Sequence, residues 1–260
     1  MRTYLINLAR RPDRLAAMFR QTVPLGLSLE RIEAVDAQSE EPARVNRWFT
    51  ESGPLGEIPQ GDKACLLSHR QAWEIFVAGG ESHAVFLEDD VRLSASAAAL
   101  LASNGWVPSD VAVVKLEHYG PAGQRVLLDK IRAVGEDFQL GRMLSRHTGA
   151  AAYVLSRRAA ELLLRQTRFS LPVDHLLFNP NNSKLFAELL PWQLVPAIAR
   201  QEEFVGEKSD IEGTRLGLRA FGWTYIKREL VRFAYDLSLA PRQIAALLGG
   251  AKFVAVRTSN

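Results

Sequence analysis

The sequence holds one cysteine in 260 residues, Cys65, which excludes an internal disulfide framework and suits a reducing compartment. Its setting, Ala64-Cys65-Leu66-Leu67, is that of a buried apolar thiol rather than a nucleophile. No Cys/His cluster has the spacing of a structural zinc site. No apolar run approaches the roughly 18 residues of a membrane span, so no transmembrane helix is expected. The apolar start Tyr4-Leu5-Ile6 is too short for a signal peptide and soon meets arginines, so it reads as a first core strand in a cytoplasmic protein. A Gly-x-Gly-x-x-Gly fingerprint and a Walker motif are both missing, which argues against a dinucleotide site and a P-loop. A Gly-x-Ser-x-Gly elbow is missing too.

What is present is ordinary in bulk, with 47% hydrophobic and 23% charged residues, enough to bury a substantial core. The length suits one large α/β domain with an appendage. The net charge of +3 is unevenly spread: residues 215–260 carry eight Lys/Arg against two acids, which leaves the rest of the chain acidic. Aromatic residues interleave with the basic ones there, as in Phe221, Trp223, Tyr225 and Phe233 beside Lys227, Arg228 and Arg232. Such a segment is expected to be helical and amphipathic, and to meet an anionic membrane surface. It lacks a recognisable nucleic-acid module, so no nucleic-acid partner is expected.

Apolar runs alternate with helical patterns. Strands are expected at 4–8, 31–37, 84–87, 111–116, 149–155 and 192–199. Helices are expected at 14–21, 62–78, 94–101 and 157–166, the last capped by Ser156. Residues 38–60 read as a loop with one helical piece near 43–49. The alternation predicts a three-layer α/β/α architecture with a mostly parallel sheet. The division expected is a main domain of residues 1–214 and a basic C-terminal segment of 215–260.

Ala84-Val85-Phe86-Leu87 runs straight into Glu88-Asp89-Asp90. Three adjacent carboxylates at a strand end repel one another and call for a cation or donors. A divalent metal relieves that repulsion and clamps a diphosphate, and Glu88 and Asp90 share one face of an extended chain. In Asn7-Leu8-Ala9-Arg10-Arg11-Pro12-Asp13-Arg14 a strand empties into a basic turn and a helix start, a setting for phosphate oxygens. His69 lies on the helix before the acidic strand and is either a ligand contact or a core histidine. Asp174, in Leu171-Pro172-Val173-Asp174-His175, is a carboxylate in an apolar segment: a metal ligand, a general base or a helix cap.

Taken in order, these motifs resemble glycosyltransferase family 25, the group of bacterial lipopolysaccharide galactosyltransferases and collagen galactosyltransferases. The resemblance runs from Tyr4 to Ile211. It rests on Ile6-Asn7-Leu8 with Arg11 and Arg14, and on Ala34-Val35-Asp36-Ala37. It continues with Gly61 through Cys65-Leu66-Leu67-Ser68-His69 to Trp73, and with Phe86-Leu87-Glu88-Asp89-Asp90-Val91. Thr148-Gly149 with Tyr153-Val154-Leu155-Ser156, Pro172-Val173-Asp174, and Gln201 with Ser209-Asp210-Ile211 complete it. Asp62 and Ala64 depart from the family pattern. The resemblance implies a GT-A-like nucleotide-binding fold, Mn²⁺ or Mg²⁺, a UDP-sugar donor (UDP-galactose above all), inversion at the anomeric carbon, and a glycan or glycolipid acceptor such as lipopolysaccharide core. It implies Asn7, Arg11, Arg14, Asp36, Glu88 and Asp89 as donor contacts, Asp90 and Glu88 as metal ligands, and Asp174 and His69 as catalytic residues. Two rival classes use similar residues. One is a metal-dependent nucleotidyltransferase or phosphohydrolase. The other is a noncatalytic relative that binds glycan or membrane.

Overall fold

The structure is a computed structural model and describes residues 1–121, 124–201 and 237–259. The chain begins with β1 (Arg2–Asn7), α1 (Pro12–Thr22), β2 (Leu29–Glu33), α2 (Pro42–Asn46) and α3 (Gln60–Ala78), and reaches the acidic strand β3 (His83–Glu88). Then come β4 (Val91–Leu93), α4 (Ala97–Ala102), β5 (Val113–Lys115), β6 (Glu117–His118) and a hairpin of β7 (Arg125–Val134) and β8 (Phe138–Met143). β9 (Ala152–Ser156), α5 (Arg157–Leu164), α6 (Val173–Phe178), α7 (Phe186–Leu189), β10 (Trp192–Val195) and β11 (Ala199–Gln201) follow. A helix described over 237–248 precedes β12 (Lys252–Ala255).

Nine strands form one sheet in the order β12-β7-β8-β10-β5-β9-β3-β1-β2. β2, β1 and β3 are parallel neighbours, and so are β5 and β10. β9 lies antiparallel between β3 and β5, and β8 lies antiparallel between β10 and β7. The sheet is therefore mixed, parallel where βαβ connections build it and antiparallel at the hairpin side. The chain passes from β1 outward to β2, then back across β1 to β3. That reversal opens a crevice at the carboxyl ends of β1 and β3, the usual ligand position in open α/β sheets.

Side-chain alternation along the strands makes two cores. Ala84 and Phe86 join Leu66, Trp73 and Phe76 of α3 on one face. Val85 and Leu87 join Met18 of α1 and Leu100 of α4 on the other. The helices thus cover both faces, which gives the three layers. Local chemistry agrees with the element ends. α1 opens on Pro12 with Asp13 in its first turn and Arg20 in its last, each complementing the helix dipole. The Ser156 hydroxyl accepts from the Ala159 N–H at 3.2 Å and caps α5.

Several boundaries differ from the sequence expectation. The run 192–199 is not one strand: β10 belongs to the large sheet and β11 to a three-stranded sheet with β4 and β6. β3 ends at Glu88, so Asp89 and Asp90 lie in a turn and the two-residue alternation does not extend through them. β12, inside the segment expected to stand apart from residue 215 on, pairs with β7 as the edge of the main sheet. The aromatic, basic stretch 216–234 lies outside the described residues.

Phe86 is fully buried and sits at the centre of an aromatic stack, 5.5 Å from the Tyr4 ring, 5.2 Å from Tyr153 and 5.9 Å from Phe76. Phe86→Ala is expected to cost about 3–5 kcal/mol. Urea unfolding checks this: the midpoint drops with an unchanged slope, whereas a loss under about 1 kcal/mol means that the ring is not a keystone of this core.

Candidate active site

The crevice is lined by the end of β1, the segment after β2, the first turns of α3 and the acidic turn. Ile6 and Leu8 give it an apolar side, Ala34 through Gln38 form a backbone wall, and Glu88, Asp89 and Asp90 close the opposite side. The Ser68 hydroxyl accepts from the Val35 N–H at 2.9 Å and donates to the Ala64 carbonyl at 2.8 Å, which ties that wall to α3. These lining segments are far apart in sequence and meet because parallel strands end at one sheet edge.

Asn7 is a clip rather than an open ligand contact. Its Nδ2 donates to Asp89 Oδ2 at 2.7 Å and to the Arg11 carbonyl at 3.0 Å, and its Oδ1 accepts from Arg31 Nε at 3.0 Å. Arg14 pairs with Asp89 Oδ1 at 3.3 Å, both groups buried. Asp89 is thereby anchored between β1 and α1. Arg11 turns to Asp13, donating through Nε at 3.0 Å and Nη2 at 2.8 Å, and holds that carboxyl down to about 2. It does not line the crevice. Arg10 does, and its Nε donates to Asp36 Oδ2 at 2.7 Å. Of the two arginines named from the sequence as donor contacts, Arg14 lines the crevice and Arg11 does not, while Arg10, which was not named, does.

His69 is fully buried on α3, and burial lowers its pKa to about 3. Trp73 Nε1–H can only donate, and it donates to the Tyr153 hydroxyl at 2.8 Å. The neutral ring bonds the Tyr153 hydroxyl through Nδ1 at 2.8 Å and Glu88 Oε1 through Nε2 at 3.1 Å, one ring nitrogen donating and the other accepting. The Cys65 thiol, pushed well up by burial and the Glu88 charge, donates to the same oxygen at 3.8 Å. Cys65, His69 and Glu88 present possible metal-ligand atoms within 4.8 Å of one another. The trio orients a carboxylate.

Burial and then the charges of Glu117, Asp89 and Asp174 raise Glu88 to about 8. Asp90 is also raised well above a normal carboxyl, by burial first and by Glu88 and Asp89 next, with Arg14 opposing. Asp90 Oδ1 is buried without a hydrogen-bond partner among the described residues. Crowded carboxylate oxygens, with Asp90 Oδ1 buried and unsatisfied at the crevice, fit a hard divalent cation of the Mg²⁺ or Mn²⁺ type. Asp174 sits in the first turn of α6, where its Oδ2 accepts from the Gly149 N–H at 3.5 Å. It does not line the crevice wall, but its charge is felt by Glu88, His69 and Lys115.

A fifth carboxylate of the cluster, Glu117, escaped the sequence reading. It is fully buried, and Lys115 Nζ donates to its Oε1 at 2.7 Å. A lysine and a glutamate two residues apart at the end of an apolar strand share a face, and that spacing was the available signal.

Strand ends, clustered acids and an arginine-bearing turn thus meet at one crevice. The chain belongs to glycosyltransferase family 25, described as an LPS biosynthesis protein family, whose pattern matches residues 1–177. It is 30% identical over 223 residues to the lacto-N-neotetraose biosynthesis glycosyltransferase LgtB of Neisseria gonorrhoeae, covering 78% of this chain and 75% of that one. The lipooligosaccharide biosynthesis protein lex-1 of Haemophilus influenzae is 30% identical over 162 residues, 56% of this chain and 50% of that one. The inactive glycosyltransferase 25 family member 3 of Mus musculus is 32% identical over 96 residues, 34% of this chain and 16% of that one.

His147 offers a check on the buried polar groups near this site. Burial and the Lys115 charge lower it from 6.5 to about 3. The unfolded chain takes up that proton as pH falls through 6.5, and the folded chain only near 3. Stability therefore falls with pH across this window, by up to about 1.4 kcal/mol per unit. His147→Gln lacks this contribution. Urea unfolding at several pH values is expected to show the wild-type advantage shrinking as pH drops from 6.5 to about 4; a constant difference means that His147 titrates normally.

Proposed function

We propose that this chain is an inverting, metal-dependent glycosyltransferase with a GT-A-like nucleotide-binding sheet. It moves a sugar, galactose from UDP-galactose, onto a cell-surface glycan such as lipopolysaccharide core. The observation that carries this reading is the unsatisfied Asp90 Oδ1 among crowded acids at the mouth of the β1/β3 crevice. The nucleoside of the donor rests against Ala34 through Gln38, with Arg10 and Asp36 at its edge. Asp90, with Glu88, would hold Mn²⁺ or Mg²⁺, which when bound supplies charge neutralisation for the diphosphate leaving group. The Trp73–Tyr153–His69 chain keeps the Glu88 oxygen in place. Asp174 takes the proton of the acceptor hydroxyl as that oxygen attacks the anomeric carbon from the face opposite the diphosphate. The bond from the anomeric carbon to the diphosphate oxygen breaks with its electrons on UDP, and no covalent enzyme intermediate forms.

No helix among the described residues is long and apolar enough to cross a membrane. We assign the basic segment 215–260 to contact with an anionic membrane surface that carries the acceptor, at the cytoplasmic face of the inner membrane. In its described part Leu237, Ile244 and Leu248 are exposed.

A UDP-release assay over a panel of UDP-sugars, with Mn²⁺ or with EDTA, tests the reading. Slow hydrolysis of one donor is expected, lost with EDTA and in Asp90→Asn. Release of phosphate or pyrophosphate instead points to a phosphohydrolase or nucleotidyltransferase. Binding without turnover, even with acceptor glycans present, points to an inactive relative. Asp90→Asn also removes a like charge, so the metal-free variant is expected to melt above the metal-free wild type while losing the Mn²⁺-induced rise in Tm. Asp174→Asn is expected to lower kcat by at least about 100-fold with donor binding retained; loss of metal-dependent donor binding would make Asp174 a second ligand instead.

A further inference from the structure

Beneath the acidic turn lie four polar side chains, Lys115, Glu117, His147 and Gln193, all with 0% exposure. A buried ion pair is a poor device for stability alone, because apolar residues of the same volume serve as well or better. Glu117 Oε2 sharpens the point, since it is buried with no hydrogen-bond partner among the described residues. What apolar residues cannot do is bond to backbone, and the Lys115–Glu117 pair does so at one short segment, Gly149–Ala151. Lys115 Nζ donates to the Gly149 carbonyl at 2.5 Å, and Glu117 Oε1 accepts from the Ala151 N–H at 2.9 Å.

The same segment touches both halves of the site. The Ala151 carbonyl accepts from the Glu88 N–H at 2.8 Å, and the Gly149 N–H donates to Asp174 Oδ2. Lys115 Nζ also stands 4.7 Å from the ring centroid of Phe178, the last residue of the helix that carries Asp174. Gly149 is needed for this grip. Its φ is +91°, and a Cβ there would come within 2.8 Å of the Tyr119 side chain and 3.0 Å of Glu117 Oε1.

We propose that the Lys115–Glu117 ion pair is a positioning unit for glycosyl transfer: by gripping Gly149–Ala151 it fixes Asp174 relative to Glu88 and the acidic turn. The inference rests on the proposed role of those acids. Lys115 and Glu117 touch neither donor nor acceptor. They hold the frame in which a base and an acidic cluster from distant parts of the chain face the same reacting centre, where a displacement of about 1 Å costs on the order of 100-fold in rate.

The test uses the full chain with Lys115→Met, and with Lys115→Met/Glu117→Gln so that no uncompensated charge is left if the single variant fails to fold. Donor KM and kcat are measured alongside amide hydrogen exchange. The expected result is a kcat at least about 30-fold lower with donor KM within about threefold, together with faster exchange confined to 149–151 and α6. A kcat within about threefold of wild type overturns the proposal. So does a drop in kcat accompanied by uniform acceleration of exchange through β1 and α1, which marks a purely structural pair. If the wild type turns over no nucleotide sugar, the functional reading fails by itself. The exchange pattern then still decides the proposal: localised acceleration at 149–151 and α6 upholds the grip, and its absence removes it.

Discussion

Like-charge repulsion at one sheet edge is the constraint around which this molecule is arranged. Glu88, Asp89, Asp90, Glu117 and Asp174 are close enough for their charges to act on the same groups. Partners answer most of them: Asn7 and Arg14 for Asp89, His69 and Cys65 for Glu88, Lys115 for Glu117, the Gly149 N–H for Asp174. Asp90 Oδ1, like the second oxygen of Glu117, has none among the described residues. A protein selected only for stability would dilute such a cluster with amides. Retaining it keeps a place where a divalent charge is worth more than it is in water, because low surrounding polarity strengthens attraction and repulsion alike.

The place of Glu88, Asp89 and Asp90 at the sheet edge was legible in the sequence because a rigid apolar strand leads into them, whereas Glu117 was not. An uninterrupted run such as Ala84 to Leu87 has one reading as a buried strand, and whatever follows it stands at the sheet edge. The helix from 62 to 78 was legible for the same reason, through its spacing of apolar residues. Orientation was less legible. That Asn7 faces Asp89 rather than a ligand, and that Arg10 rather than Arg11 faces the crevice, depends on how a short turn closes, and composition carries no trace of that. His69 stood undecided in the sequence, and the structure places it between the Tyr153 hydroxyl and Glu88, fully buried.

Other features were hidden by competing patterns. The β7–β8 hairpin holds Lys130 and Arg132 and is exposed along its outer half, so it lacks the clean alternation of a half-buried strand. Trp192 to Ala199 looks like one strand because a continuous apolar run does not reveal a change of partner sheet. The chain moves at Pro196 from the large sheet to the small one that carries β4, directly after the acidic turn. Lys115 was passed over because a single lysine does not interrupt an apolar run of six.

The return of the chain to the sheet has a consequence for how this scaffold can vary. β11 ends at Gln201, and the backbone comes back beside it: the Ala197 N–H donates to the Arg257 carbonyl at 2.7 Å, the Ser259 N–H donates to the Ala197 carbonyl at 2.7 Å, and β12 closes on β7. Everything between residues 202 and 250 is thus stapled to the body at both ends. With its two ends held together, a change in the length of that stretch adds little loop-closure entropy. The free-energy cost of varying the stretch between those ends is therefore decoupled from the cost of varying the sheet that carries the acidic turn.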